Sequence, residues 1–549
     1  MPAVGYFTAE IGLWSELHTY SGGLGVLAGD HVKSAADAGI PLVGVTLLYH
    51  QGYARQHIDQ KGVQTETFPE FDPTDYLSKT DIQIELQLDE KSLIAYVWKA
   101  DIEGQSGHHV PVYFLDTRHP KNSPEHQALS SRLYGGDDGV RIRQEYVLGV
   151  GGVQLFDHLD EQLSGLHLNE GHCTFAMLEL INRGWSREEL AQRSLFTTHT
   201  PVPAGHDRFD WELVDEVIGD LLPKDAVELV RNAGDSEKGA RCSMSHLAVA
   251  LSTSVNAVSK LNAGVAMTMF DEQIIQPITN GVHHITWTSS EMALLFDNHL
   301  NGWRTDPSSI AHATNISTEE LLQARSNARS EFRDFVRLKT GITLSPDRLT
   351  IGFARRFATY KRANLVFKDL ERLRNIGAGK VQFVFSGKAH PRDFGGKQLI
   401  QDIYDSAEHI AEDIPVVFIE NYDMETGGMM TSGVDIWLNN PIRPMEASGT
   451  SGMKAAMNGV PNCSILDGWW PEACIHGVNG WAIGNGEDDR NDERDATNIY
   501  DVLEHEVLPL WERKDDGWAE MMKQSIAASA GFTGHRMIKD YREFYDQFS

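Results

Sequence analysis

Beyond residue 347 the chain alternates short apolar runs with helical stretches, and this alternation limits the fold more than any other feature. The runs lie at 349–354, 381–386, 415–420, 434–438 and 463–466, with helical stretches between most of them. Such a pattern predicts a parallel, doubly wound sheet with helices on both faces. Ligands of open α/β sheets collect beyond the carboxyl ends of the strands. Polar residues directly after each run are therefore the first candidates for a site.

At 549 residues the chain exceeds what one core holds, so two domains are expected. Thr340-Gly-Ile-Thr-Leu-Ser-Pro-Asp347 is the best boundary. It gives an N-terminal domain at 1–343, a Rossmann-like domain at 344–530 and a terminal helix at 531–549. The first domain opens with a buried run at 3–8, then Tyr20-Ser-Gly-Gly-Leu-Gly25, a helix over 26–37 and a strand at 42–48. That is a βαβ unit with an anion site at its first turn. Residues 80–116 alternate polar and apolar, which predicts antiparallel strands forming an excursion from the main sheet. A helix runs from Asp137 to about Phe156, and strands end near Asn169 and His199. One long buried helix is expected from Ser245 to about Phe270. Ser317-Thr-Glu-Glu320 reads as a capping box for a helix to about Lys339. Arg536–Phe548 reads as an amphipathic helix.

Charge narrows the partners. There are 48 basic and 78 acidic residues, for a formal charge of −30. Nucleic acids and anionic membranes are excluded as expected partners, and any phosphate site must be locally basic inside an acidic shell. Cys173, Cys242, Cys463 and Cys474 show no C-x-x-C spacing. They read as reduced thiols of a cytoplasmic protein, with no metal site expected. No basic residue precedes Lys33, so no signal peptide is expected, and no apolar run reaches the ~18 residues of a membrane span.

Glu446-Ala-Ser-Gly-Thr-Ser-Gly-Met-Lys454 is rich in small residues and runs into a helix expected to start near Ser451 and stop at Gly459. Lys454 then falls in the first turn, where a cation opposes the helix dipole. It suits a Schiff base to a cofactor whose phosphate rests on the helix end. A Gly/Ser loop with Ser451 as an ordinary N-cap is the plain alternative. Arg355-Arg356-Phe-Ala-Thr-Tyr-Lys361 follows the run at 349–354 and is placed to hold phosphate, or to start a solvated helix. His199 ends a strand, and a structural role is the alternative there too. Asn280 carries an amide that both donates and accepts. Trp287 reads first as core, with a wall for the cofactor as the other reading.

Several of these segments resemble the α-glucan (glycogen, starch, maltodextrin) phosphorylases. They are E-A-S-G-T-x-x-M-K at 446–454, R-x-x-x-Y-K-R at 356–362, the Gly22–Gly25 loop, R-x-x-Q-E-Y ending at Tyr146, T-x-H-T around His199, and T-N-G at 279–281 with Trp287. Phe385-Ser-Gly-Lys388 and Phe418-Ile-Glu-Asn-Tyr422 also match, all in that family's order from about residue 20 to 470. The resemblance implies an α/β protein of GT-B type, with two Rossmann-like doubly wound domains facing a cleft and the last helix crossing back to the first. It implies retaining phosphorolysis of α-1,4-glucan by inorganic phosphate, releasing α-D-glucose 1-phosphate from the non-reducing end. Pyridoxal 5′-phosphate would be anchored as a Schiff base on Lys454. By the same match Thr450, Ser451, Gly452, Arg355, Lys361, Trp287, Gly22 and Gly23 would surround the cofactor. Arg356 and Lys361 would take the substrate phosphate. Gly23, Leu24, His199, Asn280, Tyr360, Glu446, Ser448 and Gly449 would meet the sugar. Arg356, Lys361, Lys454 and His199 are the residues expected to be catalytic.

The chain departs from the pattern in places. Ser451-Gly452 replaces the usual G-N before Met-Lys, and Asn169-Glu-Gly-His172 stands where longer members have N-D-T-H, so Glu170 receives no role. His172, His283 and His284 also receive none. Longer members carry a region for nucleotide and phosphorylation control, and none is seen, so allosteric control is not expected. Phosphorylases commonly dimerise, so a homodimer fits. Two rivals remain. A sugar-nucleotide glucan synthase would have no use for Lys454, and a silent glucan-binding relative need not keep Arg355, Arg356 and Lys361 together. No paired carboxylates support a hydrolase.

Overall fold

Two sheets organise the chain, one in each of two units. The computed structural model describes residues 2–199, 205–218, 221–222, 224–234, 241–270, 273–513 and 515–548. By contacts, unit one comprises Met1–Tyr53, Phe68–Thr279 and Met537–Ser549, and unit two Ala54–Thr67 and Asn280–Arg536.

In unit one the strands are β1 (Pro2–Thr8), β2 (Leu42–Leu47), β3 (Ser78–Leu88), β4 (Lys91–Glu103), β5 (His109–Asp116), β6 (Gln162–Asn169), β7 (Ser194–Thr198), β8 (Ser254–Ala257) and β9 (Gln276–Pro277). They form one sheet in the order β9-β8-β7-β6-β1-β2-β5-β4-β3. Central β1 is largely apolar up to its terminal Thr8 and buried after its first residue, as a parallel strand covered on both faces should be. Helix α1 (Gly23–Asp37) leads from β1 to β2, which pair in parallel with Val4 opposite Leu42. The βαβ opening is therefore present.

Two expectations need correcting. Residues 80–116 do form antiparallel strands, but they do not leave the main sheet. β5 pairs in parallel with β2, so the β3-β4-β5 meander extends it. The segment 245–270 is not one helix. It is a helix at Met244–Leu251, strand β8 and a helix at Lys260–Met269. Ser252-Thr-Ser254 breaks the helical run, and Val255 and Ala257 become a buried strand beside β7.

In unit two the strands are β10 (Leu349–Ala354), β11 (Val381–Ser386), β12 (Val416–Ile419), β13 (Ile436–Asn439), β14 (Asn462–Ile465) and β15 (Gly480–Ile483). All pair in parallel, in the order β12-β11-β10-β13-β14-β15. The last strand is one that the apolar runs did not announce. The chain leaves β10 in one direction and returns beside it as β13. The strand order thus reverses between β10 and β13, which is where such sheets bind ligands.

The contact boundary falls at Thr279/Asn280 rather than at 343/344. Helix α2 (Thr318–Thr340), capped by Ser317 and closed by left-handed Gly341, explains the difference. Its buried Arg325 donates to the carbonyls of Ser432 and Val434, at the end of α3 (Met424–Gly433). The helix before the linker therefore packs with the sheet after it. A hairpin at 55–58 and 64–67 also belongs to unit two. Its Gln56 and Gln64 amides donate to the carbonyls of Gly387 and Ala389 at 2.8 and 2.9 Å. Two further helices matter below: α4 (Thr450–Met457) and α5 (Gly534–Tyr545). Among the described residues no helix is long and apolar enough to cross a membrane.

Candidate active site

The switch point of unit two collects charge. Arg355 follows β10, and Glu446 lies in the loop after β13. Arg355 and Lys361 grip the Glu446 carboxylate, at 2.9 and 2.6 Å. Arg355 also donates to Asn439, the last residue of β13. Burial would push the Glu446 pKa up, but Arg355 and Lys361 outweigh it and hold the carboxyl below its ordinary value. Glu446 is thus an ionised acceptor held between two cations. Asp467 behaves oppositely. Burial and the Glu446 charge push it up to about 7, although it accepts the N–H groups of Glu446 and Gly468. Arg362, next to Lys361 in the chain, takes no part, because it is committed to Asp492, Asp495 and two carbonyls beside a cavity of about 390 Å³.

Helix α4 carries the lysine. It starts at Thr450 with Gly449 as N-cap at φ +86°, and no side chain caps it. Its first N–H groups are therefore not satisfied by a cap. Gly459 at φ +69° ends it, with Val460 and Gly459 N–H groups bonded to the carbonyls of Ala455 and Ala456 in a Schellman pattern. The expected start near Ser451 is one residue late. In a helix of only 8 residues Lys454 lies in the last turn, so it complements the dipole rather than opposing it. Ser451 is not the cap: its hydroxyl accepts from the Trp437 indole at 3.2 Å. Gly452 has no room for a Cβ, which would stand 2.5 Å from Asn462 Oδ1.

The buried Lys454 ammonium lies 3.5 Å from the centroid of the Trp287 ring. Trp287 is therefore both core and a wall for the lysine. Ser448 and Asn280 are buried, and Ser448 Oγ and Asn280 Oδ1 have no hydrogen-bond partner among the described residues. Both atoms can therefore pair with a polar ligand. Tyr360 is half-buried with its ring 4.8 Å from the Lys361 ammonium, and Arg356 is exposed.

Unit one holds the remaining expected residues. Gly22 precedes α1 as an uncapped N-terminus, and a Cβ at Gly22 or Gly23 would meet nothing within 4 Å. Leu24 is half-buried. The loop is held by Glu10, which no motif in the sequence marks. Its carboxylate accepts Ser21 N–H at 2.6 Å and Tyr134 O–H at 2.8 Å. The available signal was a carboxylate between β1 and a glycine loop. His199 follows β7; its backbone N–H donates to Glu170 at 2.8 Å, and Nε2 stands 2.6 Å from Asn169 Oδ1. Thr200 and Pro201 of that segment lie outside the described residues. The R-x-x-Q-E-Y helix is no solvated face: Arg141 and His172 both pair with Asp207, and Glu145 is pushed well above its ordinary pKa by burial and by Asp207.

The residues present fit pyridoxal phosphate. They offer a buried lysine against an aromatic wall, an uncapped helix start, paired cations and an unsatisfied buried hydroxyl. The protein is thus of the α/β class, with a parallel sheet that carries this cluster at its switch point. The family model described as carbohydrate phosphorylase matches residues 207–472. The maltodextrin phosphorylase of Thermococcus litoralis is 39% identical over 99% of this chain and 70% of its own length. The glycogen phosphorylase of Aquifex aeolicus is 37% identical over 99% of this chain and 86% of its own. That of Mycobacterium tuberculosis is 35% identical, over 99% and 70%. The chain belongs to the carbohydrate phosphorylase family and is a glycosyltransferase.

Proposed function

We propose that this enzyme is an α-1,4-glucan phosphorylase that releases α-D-glucose 1-phosphate from chain ends. The observation that carries the reading is the Arg355–Glu446–Lys361 cluster at the β10/β13 switch point, beside the lysine-bearing helix. Glu446, ionised and clamped, accepts hydroxyl protons of the terminal glucose. Ser448 Oγ and Asn280 Oδ1 meet further hydroxyls, which would satisfy both orphaned atoms. Arg356, exposed after β10, and Lys361 take inorganic phosphate. Lys454 would hold pyridoxal phosphate against Trp287, with Thr450 and Ser451 presenting N–H groups to its phosphate, whereas the Gly452 N–H is taken by the Gly449 carbonyl at 3.2 Å. Bound there, the cofactor would supply a second phosphate group as a proton donor and acceptor beside the substrate phosphate. Held by Arg356 and Lys361, the substrate phosphate would protonate the leaving glycosidic oxygen and then attack the anomeric carbon from the same face. Basic side chains and the open start of α1 stabilise the moving charge.

The proposal includes the GT-B arrangement, which would let Gly23, Leu24 and His199 act on the same substrate. It also includes a cytoplasmic location and a homodimer, the latter checked by light scattering. The deciding assay is release of glucose 1-phosphate from a maltodextrin by purified, cofactor-loaded protein. Product that vanishes when phosphate is omitted is the expected outcome. Equal release without phosphate, or none with it, would overturn the reading.

A further inference from the structure

His199 stands at the end of a chain of hydrogen bonds whose direction can be worked out. β1, β6 and β7 lie side by side, with Thr8 opposite Asn169 and Asn169 opposite Thr197. Thr8 donates its hydroxyl proton to the backbone carbonyl of Glu10 at 2.8 Å. A carbonyl can only accept, so that proton is committed. Thr8 Oγ1 is then an acceptor, and the Asn169 Nδ2 amide donates to it at 3.0 Å. This fixes the amide: Oδ1 must face the other way, toward His199 Nε2 at 2.6 Å. An amide oxygen cannot donate, so Nε2 carries the hydrogen. The residue after Asn169 holds the backbone: Glu170, itself at φ +75°, accepts the His199 N–H at 2.8 Å.

That leaves Nδ1, which has no hydrogen-bond partner among the described residues. Burial pushes His199 down to about 4; Glu170 raises it and His172 lowers it, and His31 and His167 are the other titratable groups coupled to it. The ring is therefore neutral at working pH, with a bare lone pair on Nδ1.

We propose that Asn169 is a positioning residue that fixes the Nε2–H tautomer of His199, so that Nδ1 accepts a hydroxyl proton of the sugar. The identity of the donor rests on the function proposed above; the tautomer does not. Asn169 thereby makes His199 a reader of hydroxyl groups and denies it a proton to give. Both side chains come from strand ends that the parallel sheet holds in register, so the relay needs no loop movement.

The test uses cofactor-loaded protein carrying nitrogen-15 in its histidine rings, with His199 assigned by its absence in His199→Gln. Long-range proton–nitrogen NMR reads the tautomer without any need for activity. Expected for the wild type is a neutral Nε2–H ring from pH 8 to about 5, with Nδ1 shifted when glucose is added. In Asn169→Asp the carboxylate stabilises the imidazolium, so the titration of His199 moves up into that range. Phosphorolysis by the variant then falls about tenfold per pH unit below the new pKa, a limb that the wild type lacks. Asn169→Leu, compared by circular dichroism for folding, should release the ring to a mixture of tautomers. An Nδ1–H wild type, or an unchanged ring in both variants, would overturn the assignment. No response of Nδ1 to glucose would overturn the sugar contact. A wild type with the expected tautomer but no phosphate-dependent product would instead sink the proposed function.

Discussion

At the scale of single residues, buried charge decides the behaviour of the site. Glu446 neutralises two cations inside the protein. Removing one partner of a buried pair leaves the other uncompensated, at a cost of about 3–5 kcal/mol. Glu446→Gln should therefore lower stability on that scale in phosphate-free buffer. Added phosphate should restore more stability to the variant than to the wild type, because its cations are released for the anion. Thermal unfolding with and without phosphate checks both statements. Arg356 stands outside this clamp, so Arg356→Ala should leave the melting temperature within about 2 °C and slow phosphorolysis by roughly 10²–10³-fold, the scale of one lost preorganised donor. A loss under tenfold would remove its role. Lys454→Ala should fold, fail to retain pyridoxal phosphate on gel filtration and show no phosphorolysis. The pairing of Arg355 and Lys361 with Glu446 was only half legible. The residue types could be read from the sequence, but residues 85 positions apart meet only because β10 and β13 are neighbours.

At the scale of elements, the glycines of the first turn divide by role. A Cβ at Gly29 would stand 1.9 Å from the Gly12 carbonyl oxygen, so α1 can lie this close to its loop only with glycine there. Gly29→Ala should cost about 1–3 kcal/mol or more through overpacking. A Cβ at Gly23 meets nothing, so Gly23→Ala should keep the fold and reduce kcat/KM at least about tenfold by intruding on a ligand at the helix start. Unchanged activity in Gly23→Ala would dissociate the loop from the substrate. The sequence marked the loop and the helix correctly but could not rank its glycines, because close approach is a property of the packed chain. Helix α4 shows the same limit: its glycine stop was visible, whereas its length of only 8 residues, which puts Lys454 in the last turn, was not. The segment 245–270 failed for a related reason. An apolar run beside small residues serves a helix or a buried strand equally, and only the open edge of β7 settled it.

Across the whole chain, protonation should set the acid limit. Burial holds His31 at about 3 and His199 at about 4, and His167 well below its ordinary value. His31 and His167 both bond the Tyr545 hydroxyl of α5, at 2.9 and 2.7 Å. The unfolded chain takes up protons below about pH 6.5 that the folded chain refuses. Stability present above that pH is thus lost as it falls toward 4, by up to about 1.4 kcal/mol per pH unit for each histidine. Asp467 works the other way. Its pKa is raised to about 7, so its ionisation costs stability above that value and the cost lifts as pH falls through 7. Glu145, also raised by burial and Asp207, acts as Asp467 does, so the three histidines outweigh the two carboxyls only below about pH 6, and denaturant midpoints should fall between about pH 6 and 5. A flat or rising profile would contradict the buried neutral rings.

The sequence by itself determined the doubly wound alternation, the βαβ opening and the residue types of a phosphate-handling site, because period, small residues and clustered cations are local properties of the chain. Tertiary structure alone decided the strand order that reverses between β10 and β13, the assignment of residues 54–67 and 280–343 to unit two, and the partners of Glu446 and His199. Those are contacts between segments far apart in sequence. Which buried charge meets which, and which way an amide must point, depend on how sheets and helices pack against one another, and no local pattern carries that information.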